Sequence, residues 1–236
     1  MAVHSGIMTM KALTRSFVLL LLLAAPAFAA PPLPSDPRAA QAVQNYLKAM
    51  QAETARDRDQ RVADRMDALA SNPASPVLGN PKGNVTIIVF SDYACPYCKL
   101  AEPRLMALAA ADKGVKIVMK EFPILTRASM IASRMALAAH KQGKYRQFHL
   151  ALMRREGALN EAGIMETARA AGLDVPRARR DMIASDVSDE IIANFNLARG
   201  IRAFQTPTYI VGGRILASDS ANIDFAREVA AARRRR

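Results

Sequence analysis

The chain contains two cysteines, Cys95 and Cys98, and they stand between a predicted strand and a predicted helix. The run from Val85 to Phe90 is apolar and rich in β-branched residues, which is typical of a strand buried on both faces. After the cysteines, Leu and Met residues recur at helical spacing among charged residues, from Leu100 to Leu108. The pair therefore lies where a buried strand ends and a helix begins.

The position of the two cysteines favours redox chemistry. The first turn of a helix has free N–H groups and the positive end of the helix dipole, so a thiolate there is stabilised and its pKa falls. Pro96 suits the first helical position, where its missing N–H would have no partner anyway. We predict that Cys95 is the exposed nucleophile and that Cys98, one turn further on, resolves the mixed disulfide.

Other interpretations of the pair are weaker. A structural disulfide with two intervening residues closes almost no loop, so it would stabilise the fold little. Structural zinc usually takes four ligands, and the sequence has no second cysteine pair, so we predict no metal site. A non-enzymatic protein that binds Cu(I) through two thiolates, or acts as a holdase, stays open as an alternative.

Four segments of the sequence form a second pattern. They are Asp92–Lys99, Lys120–Leu125, Gly143–His149 and Thr206–Thr208. In this order, and within about residues 75–230, they resemble the DsbA-like thiol:disulfide oxidoreductases of the thioredoxin superfamily, in particular the subgroup with a helical N-terminal extension. The resemblance implies an α/β thioredoxin fold with an all-helical insertion. It implies no organic cofactor, because the redox group would be the Cys95–Cys98 disulfide.

The resemblance also implies a substrate-binding face. It places a cis peptide bond between Thr206 and Pro207, opposite Cys95, where the Thr206 backbone would pair with an extended substrate chain. From the residues alone, Pro207 fits an ordinary edge-strand proline equally well. Pro96 and Tyr97, between the cysteines, are expected to contact the substrate as well.

The sequence departs from this family at three places. Val89 occupies the position of a buried acid that relays protons to the resolving thiol, so the proton route is left open. Lys120 matches the family's basic residue on the neighbouring strand, but without an acid at Val89 its partner is unassigned, and a buried unpaired Lys would be costly. Gln205 and Thr126–Arg127 replace residues that often flank the substrate face, a change that we expect to alter specificity.

Residues 1–29 are predicted to be a signal peptide. Lys11 and Arg15 precede an apolar run that is too short to span a bilayer, and Ala27–Ala29 is an A-x-A cleavage motif. We expect cleavage after about Ala29, export to a periplasm, and no stable membrane insertion.

Residues 30–74 are predicted to form a helical N-terminal extension. An apolar stripe over residues 39–50 is interrupted by the charged residues 53–61 and resumes at 62–69, which suggests one broken helix or two short ones. Such a stripe needs a partner surface. Packing on the chain's own catalytic domain and formation of a homo-oligomer through residues 36–70 are both open.

Residues 75–232 are predicted to be the catalytic domain, followed by a basic tail at 233–236. A second buried strand, Val115–Met119, completes a strand–helix–strand unit that should be parallel. Residues 127–199 contain helical stripes and no strand signal, so they form the insertion. A hairpin turn at Gly212–Gly213 and a closing helix follow.

The other titratable residues do not indicate a different chemistry. The formal net charge is +12, but there is no Trp and no basic motif with interleaved aromatic residues, so nucleic-acid binding is not expected. His140 and His149 are interpreted as helix-surface or packing residues, because thiol–disulfide exchange needs no histidine base.

The predicted function is thiol–disulfide exchange with cysteine-containing protein substrates. The direction of exchange stays open between an oxidase and an isomerase or reductase, because it depends on the relative stability of the thiolates. A redox partner must reset the pair, and the sequence does not identify it.

Overall fold

The computed structural model describes residues 37–216 and 223–235. The predicted signal peptide, residues 1–29, lies outside the described residues. The strands are β1 Val77–Gly79, β2 Val85–Ser91, β3 Val115–Glu121, β4 Thr208–Val211 and β5 Arg214–Ile215. The helices are α1 Pro37–Ala63, α2 Met66–Ala70, α3 Pro96–Ala111, α4 Arg127–Lys141, α5 Tyr145–Arg154, α6 Glu161–Ala170, α7 Val175–Asp181, α8 Ser185–Gly200 and α9 Phe225–Arg234.

The five strands form one mixed sheet in the order β1-β3-β2-β4-β5. Strands β2 and β3 are parallel, as the strand–helix–strand pattern predicts, while β1 and β4 are antiparallel to their neighbours. Helices α4 to α8 lie between β3 and β4 in the chain. The predicted α/β thioredoxin fold with an all-helical insertion is therefore confirmed.

The sheet is covered on both faces, because successive side chains of its central strands point to opposite sides. Ile87 and Val89 pack with α3, the first insertion helices and α9, whereas Ile88 and Phe90 pack with α2 and the end of α8. This double burial explains the continuous apolar run of β2. It also fixes the position of the loop that follows β2 and carries the cysteines.

The N-terminal extension is helical. Its first turns, up to Tyr46, belong to a separate unit, and a second unit begins at Leu47. Most side chains of the predicted stripe over 39–50 lie outside the described set. Helix α1 continues through the charged residues 53–61, where Arg61 and Asp57 pair at 3.0 Å, and the break falls after them. Arg and Glu are good helix formers, and pairs four residues apart stabilise a helix, so interrupting an apolar stripe with such residues does not end it.

Among the described residues, no helix combines the length and the apolar character needed to cross a bilayer.

Lys120 is fully buried on the α2 and α8 side of the sheet. Its Nζ donates to the Ser75 hydroxyl at 2.7 Å and to the Ala68 carbonyl at 3.2 Å, and Ser75 donates to Glu190 at 2.7 Å. Lys120 is thus linked to the Glu190 carboxylate through Ser75, which supplies the partner that the sequence left unassigned. Burial still lowers the pKa of Lys120 from 10.5 to about 8, and Glu190 opposes this shift.

We predict that Lys120→Met removes one component of the pH dependence of stability. Between pH 8 and 10.5, the lysine keeps its proton in the unfolded chain and loses it in the folded one. The free energy of unfolding of the wild type should therefore rise with pH relative to Lys120→Met, by about 3 kcal/mol at most. Urea denaturation at several pH values measures this difference.

Lys116→Met is the matched control, because Lys116 lies on the same face of β3 but is only partly buried and donates to the Ala70 carbonyl. A constant difference between wild type and Lys120→Met across this pH range would contradict the assignment.

Candidate active site

The cysteine pair forms the start of helix α3. Cys95 is the N-cap residue, with extended backbone angles, and Pro96 occupies the first turn, as predicted. The backbone N–H of Cys98 donates to the Sγ of Cys95 at 3.4 Å. The nucleophilic sulfur thus takes the place of the side-chain oxygen that usually caps a helix.

The prediction that Cys95 is exposed is wrong. Both cysteines are free thiols, and their exposed fractions are 2% for Cys95 and 3% for Cys98. The Sγ of Cys95 lies 3.3 Å from the carbonyl oxygen of Thr206, so the loop before β4 covers it. Pro96 is exposed and Tyr97 is 59% exposed, so these two residues form the accessible edge of the pair.

The Thr206–Pro207 peptide bond is cis, as the family resemblance implied. The hydroxyl of Thr208 donates to the carbonyl of Gln205 at 2.8 Å and closes the loop around this bond. The structure therefore brings Cys95, Cys98 and the Thr206–Pro207 loop together, although the loop and the cysteines are far apart in the chain.

The two thiols differ strongly in acidity. The pKa of Cys95 falls from 9.0 to about 6, chiefly because the Cys98 thiol donates a hydrogen bond to it. Burial opposes this shift. Hydrogen bonds from Thr206 and from the N–H groups of Cys98 and Tyr97 lower the pKa further. Burial raises the pKa of Cys98 well above its usual range. Cys95 is therefore the thiolate at neutral pH, and Cys98 holds its proton.

Val89 occupies the position of the family's buried acid, so this position is apolar in this chain. Val89 is buried and pairs with Tyr209 of β4. The Cys98 sulfur instead lies near the Ser91 hydroxyl and the Asp92 backbone, both of which oppose the rise in its pKa. Glu102 is four residues beyond Cys98 on α3, which places the two side chains on one face of the helix. Glu102 is buried, so it places a carboxylate on the face of α3 that carries Cys98.

Glu102 belongs to a group of hydrogen-bonded side chains that we call the buried polar cluster. Its members are Glu102, Glu121, His149, Tyr93, Tyr145 and Ser133. His149 lies 3.1 Å from Glu102 through Nε2 and 2.9 Å from the Tyr93 hydroxyl through Nδ1. The Tyr93 hydroxyl in turn donates to Glu121 at 3.1 Å. The cluster thus connects α3 to the end of β3 through α5.

Glu121 is the second carboxylate of the buried polar cluster. It accepts hydrogen bonds from Tyr145 at 2.8 Å and from Ser133 at 2.7 Å. Burial raises the pKa of Glu121, while His149 and the three hydroxyl donors oppose that shift. The pKa values of both tyrosines are raised, first by burial and then by the Glu121 charge.

Asp92 fixes the backbone that leads into the cysteines. Its buried carboxylate accepts from the N–H of Ala94 at 2.7 Å and from the N–H groups of Ile124 and Leu125 at 2.9 Å each. It therefore ties the loop after β2 to the loop after β3. Sequence analysis quoted Asp92 in a motif without a role; an Asp directly after a buried strand, where it can bond the backbone two residues on, is the signal that could have indicated one.

The buried polar cluster was not predicted from the sequence. Glu102 and Glu121 were assigned no role, and His149 was interpreted as a helix-surface or packing residue. The one available signal was the spacing of four between Cys98 and Glu102. His140, by contrast, is only half-buried and meets the edge of Tyr145.

A cleft of about 990 Å³ opens beside the cysteines, between α3, α5 and the loop that follows α5. Met106, Leu150, Met153 and Leu159 contribute apolar walls, and Lys99 lies at its edge near Pro96. The Lys99 amine donates to the Arg155 carbonyl at 2.7 Å, which joins α3 to that loop.

Within residues 37–216 and 223–235, no group of three or more His, Cys, Asp or Glu side chains is placed to hold a metal ion.

A parallel β2–β3 pair, a cis-proline loop and a dithiol on the first turn of α3 together define a thioredoxin-fold dithiol protein. The family model of the DSBA-like thioredoxin domain matches residues 86–230. The chain belongs to this family, whose proteins are thiol:disulfide oxidoreductases.

Solved structures of similar proteins agree with this assignment. A thioredoxin-like oxidoreductase from Silicibacter pomeroyi DSS-3 is 40% identical, with a TM-score of 0.68 over 71% of this chain and 97% of that one. The catalytic domain of Proteus mirabilis ScsC is 25% identical, with a TM-score of 0.66 over 74% and 97%. A periplasmic thioredoxin-like protein from Salmonella enterica serovar Typhimurium is 25% identical, with a TM-score of 0.64 over 71% and 94%.

Two curated proteins are also similar to part of this chain. The Na(+)/H(+) antiporters NhaA 3 of Salinispora tropica and NhaA 1 of Salinispora arenicola are each 28% identical over 140 residues. The match covers 58% of this chain and 22% of each antiporter, so the chain spans about a fifth of the length of these curated relatives.

We predict that the reduced protein forms a thiolate with a midpoint near pH 6, visible as absorbance at 240 nm, and that Cys95→Ser abolishes it. Because the folded thiol loses its proton at a lower pH than the unfolded one, the free energy of unfolding of the reduced protein should rise between pH 6 and about 9 relative to Cys95→Ser. A midpoint above pH 8 would contradict the asymmetry of the pair.

We predict that His149→Leu lowers the free energy of unfolding by about 3 kcal/mol, because it removes the His149 contact of the buried Glu102 carboxylate and one of the two hydrogen bonds of the Tyr93 hydroxyl. His140→Leu is the matched control and should cost less than about 1 kcal/mol, since His140 is only half-buried and meets the edge of the Tyr145 ring. Chemical denaturation of both variants provides the comparison. An equal loss of unfolding free energy in the two variants would show that the buried polar cluster does not stabilise the fold.

Proposed function

We propose that this protein exchanges disulfides with cysteine-containing protein substrates after export, and that it acts as a dithiol oxidase. The observation that carries the proposal is the position of the Cys95 sulfur at the N-cap of α3, where the Cys98 N–H donates to it at 3.4 Å. At this position, hydrogen bonds from the Cys98 thiol and from backbone N–H groups lower the pKa of Cys95 to about 6, while burial raises the pKa of Cys98. A thiol of low pKa leaves readily from a mixed disulfide, and a stabilised thiolate favours the reduced form of the pair. Both effects favour transfer of the disulfide to the substrate.

The oxidase reaction has two exchange steps. A substrate thiolate attacks the Sγ of Cys95 in the Cys95–Cys98 disulfide; the new S–S bond joins Cys95 to the substrate, and Cys98 leaves and takes up a proton. A second substrate thiolate then attacks the substrate sulfur of this mixed disulfide. The substrate disulfide forms, Cys95 leaves as a thiolate, and the reduced pair is reoxidised by a redox partner that the chain does not identify.

The substrate face is proposed to be the exposed Pro96–Tyr97 edge and the Thr206–Pro207 loop. An extended substrate chain would pair with the Thr206 backbone by β-augmentation, which places its cysteine at Cys95. The apolar cleft beside Lys99 gives room for neighbouring substrate side chains. Because this recognition uses main-chain groups, it suits many unrelated protein substrates.

Export to a periplasm is proposed from the pattern of residues 1–29 and is supported by the similar periplasmic protein of Salmonella enterica. An oxidising compartment suits a protein that donates disulfides. Self-association through residues 36–70 stays a prediction. Isomerase activity, which an oligomer would favour, also stays a prediction.

The test is the redox potential of the Cys95–Cys98 pair, measured in glutathione buffers by thiol alkylation. A potential near about −120 mV is expected of an oxidase, whereas a value near about −270 mV would indicate a reductant and contradict the proposed direction. Reduced, unfolded ribonuclease then serves as a substrate. Cys95→Ser should abolish its oxidation. Cys98→Ser, first converted to the mixed disulfide of Cys95 with glutathione, should release glutathione when a substrate thiolate attacks Cys95 and accumulate a Cys95–substrate disulfide that is visible on non-reducing gels.

The alternative of a Cu(I)-binding protein is tested on the same preparation. Mass spectrometry after aerobic purification should show the metal-free disulfide form. Bound copper together with a pair that does not exchange with glutathione would overturn the enzymatic proposal.

A further inference from the structure

A second, smaller pocket of about 280 Å³ lies beside the Thr206–Pro207 loop. Its lining includes Arg58, Arg202, Phe204, Gln205, Pro207 and Leu216. We call it the Arg58 pocket. Arg58 belongs to helix α1, so the N-terminal extension supplies one wall of a pocket that the catalytic domain otherwise forms.

The guanidinium of Arg58 has one buried donor without a partner. Its Nε is buried and makes no hydrogen bond with any described residue. The adjacent carboxylates are engaged elsewhere: Asp57 pairs with Arg61 at 3.0 Å and Asp59 with Arg214 at 3.0 Å. A buried charged donor without an acceptor is costly, so an acceptor that enters the pocket would be bound favourably.

Arg202 adds a second positive charge at the same pocket. Its nearest carboxylate is Asp57 at 3.8 Å, which Arg61 already holds more closely, and its side chain is 61% exposed. Its backbone φ of 58° lies in the left-handed region, which non-glycine residues rarely adopt. Phe204, two residues on, is 69% exposed. The pocket therefore combines two arginines with an accessible aromatic ring.

The pocket is close to the reacting sulfur. Gln205 and Pro207, which line it, flank Thr206, whose carbonyl lies 3.3 Å from the Sγ of Cys95. A substrate chain paired with Thr206 advances by about 3.3 Å per residue along the loop. A residue one to three positions from the substrate cysteine would therefore lie beside Gln205 or Pro207, which line the same pocket as Arg58.

We infer that the Arg58 pocket binds an acidic side chain of the substrate polypeptide, one to three residues from the reacting cysteine. The guanidinium of Arg58 donates to the carboxylate, Arg202 adds attraction at the rim, and Phe204 covers the apolar stem of the side chain. This inference rests on the proposed function, because it assigns sequence preference to the same substrate face. It gives the N-terminal helix a part in substrate selection.

The test uses two dithiol peptides that differ only in Glu or Gln beside one cysteine. The second-order rate of their oxidation by the oxidised protein is measured by quenched alkylation and mass spectrometry. The same peptides are oxidised by a small neutral disulfide, which measures the effect of Glu on the peptide thiols themselves and is divided out. We expect the wild type to prefer the Glu peptide by about tenfold at low salt, with a smaller preference at high salt.

Arg58→Ala should bring the Glu-to-Gln ratio close to one, and Arg58→Glu should favour a peptide with Lys at that position. Arg56→Ala is the matched control, because Arg56 is an exposed residue of the same helix and does not line the pocket. It should keep the wild-type ratio. The redox potential of each variant, compared with that of the wild type, separates a change in recognition from a change in the cysteine pair.

The outcomes separate the two proposals. If no peptide is oxidised by the wild-type protein, the proposed function fails. If both peptides are oxidised and the Glu-to-Gln rate ratio is the same in wild type and Arg58→Ala, the Arg58 pocket does not bind an acidic side chain of the substrate. The proposed function would still stand. An equal loss of preference in Arg56→Ala would also overturn the inference, since it would show a general effect of helix charge.

Discussion

The active site depends on the contact of the Cys95 sulfur with the first turn of α3. The Cys98 thiol and the backbone N–H groups of Tyr97 and Cys98 all stabilise the Cys95 thiolate, and burial alone would have the opposite effect. The same turn leaves Cys98 buried with its proton in place. One helix start thus makes two chemically identical side chains unequal, and thiol–disulfide exchange in a defined order requires this inequality.

Strand β3 separates the remaining buried charges. Lys120 and Glu121 are neighbours in the chain, but the alternation of a strand sends them to opposite faces of the sheet. Lys120 is linked to Glu190 through Ser75, and Glu121 is held by hydroxyl groups and by His149 in the buried polar cluster. Each charge is therefore satisfied on its own side. Val89 faces the α3 side with Met119, whereas Lys120 faces the α2 side, so an acid at Val89 would not have been the partner of Lys120.

The elements that were predicted correctly have local signals. The apolar run of β2, the proline at the start of α3 and the glycine pair of the β4–β5 turn each act within a few residues. The contacts that were missed join residues far apart in the chain: 47 positions separate Glu102 from His149, and 115 separate Ser75 from Glu190. Hydrophobic periodicity cannot predict such pairs, because it shows which face of a helix or strand is buried and not which residues that face contacts.

The sequence by itself determined the strand–dithiol–helix unit, since backbone propensity, capping and alternation are local properties of the chain. It also determined that Cys95, and not Cys98, stands at the helix start. Only the tertiary structure decided that Cys95 is covered, because the Thr206 loop approaches it from 111 positions away. The same holds for Arg58. Its buried Nε has no partner because of where α1 packs and because Asp57 and Asp59 pair with other arginines.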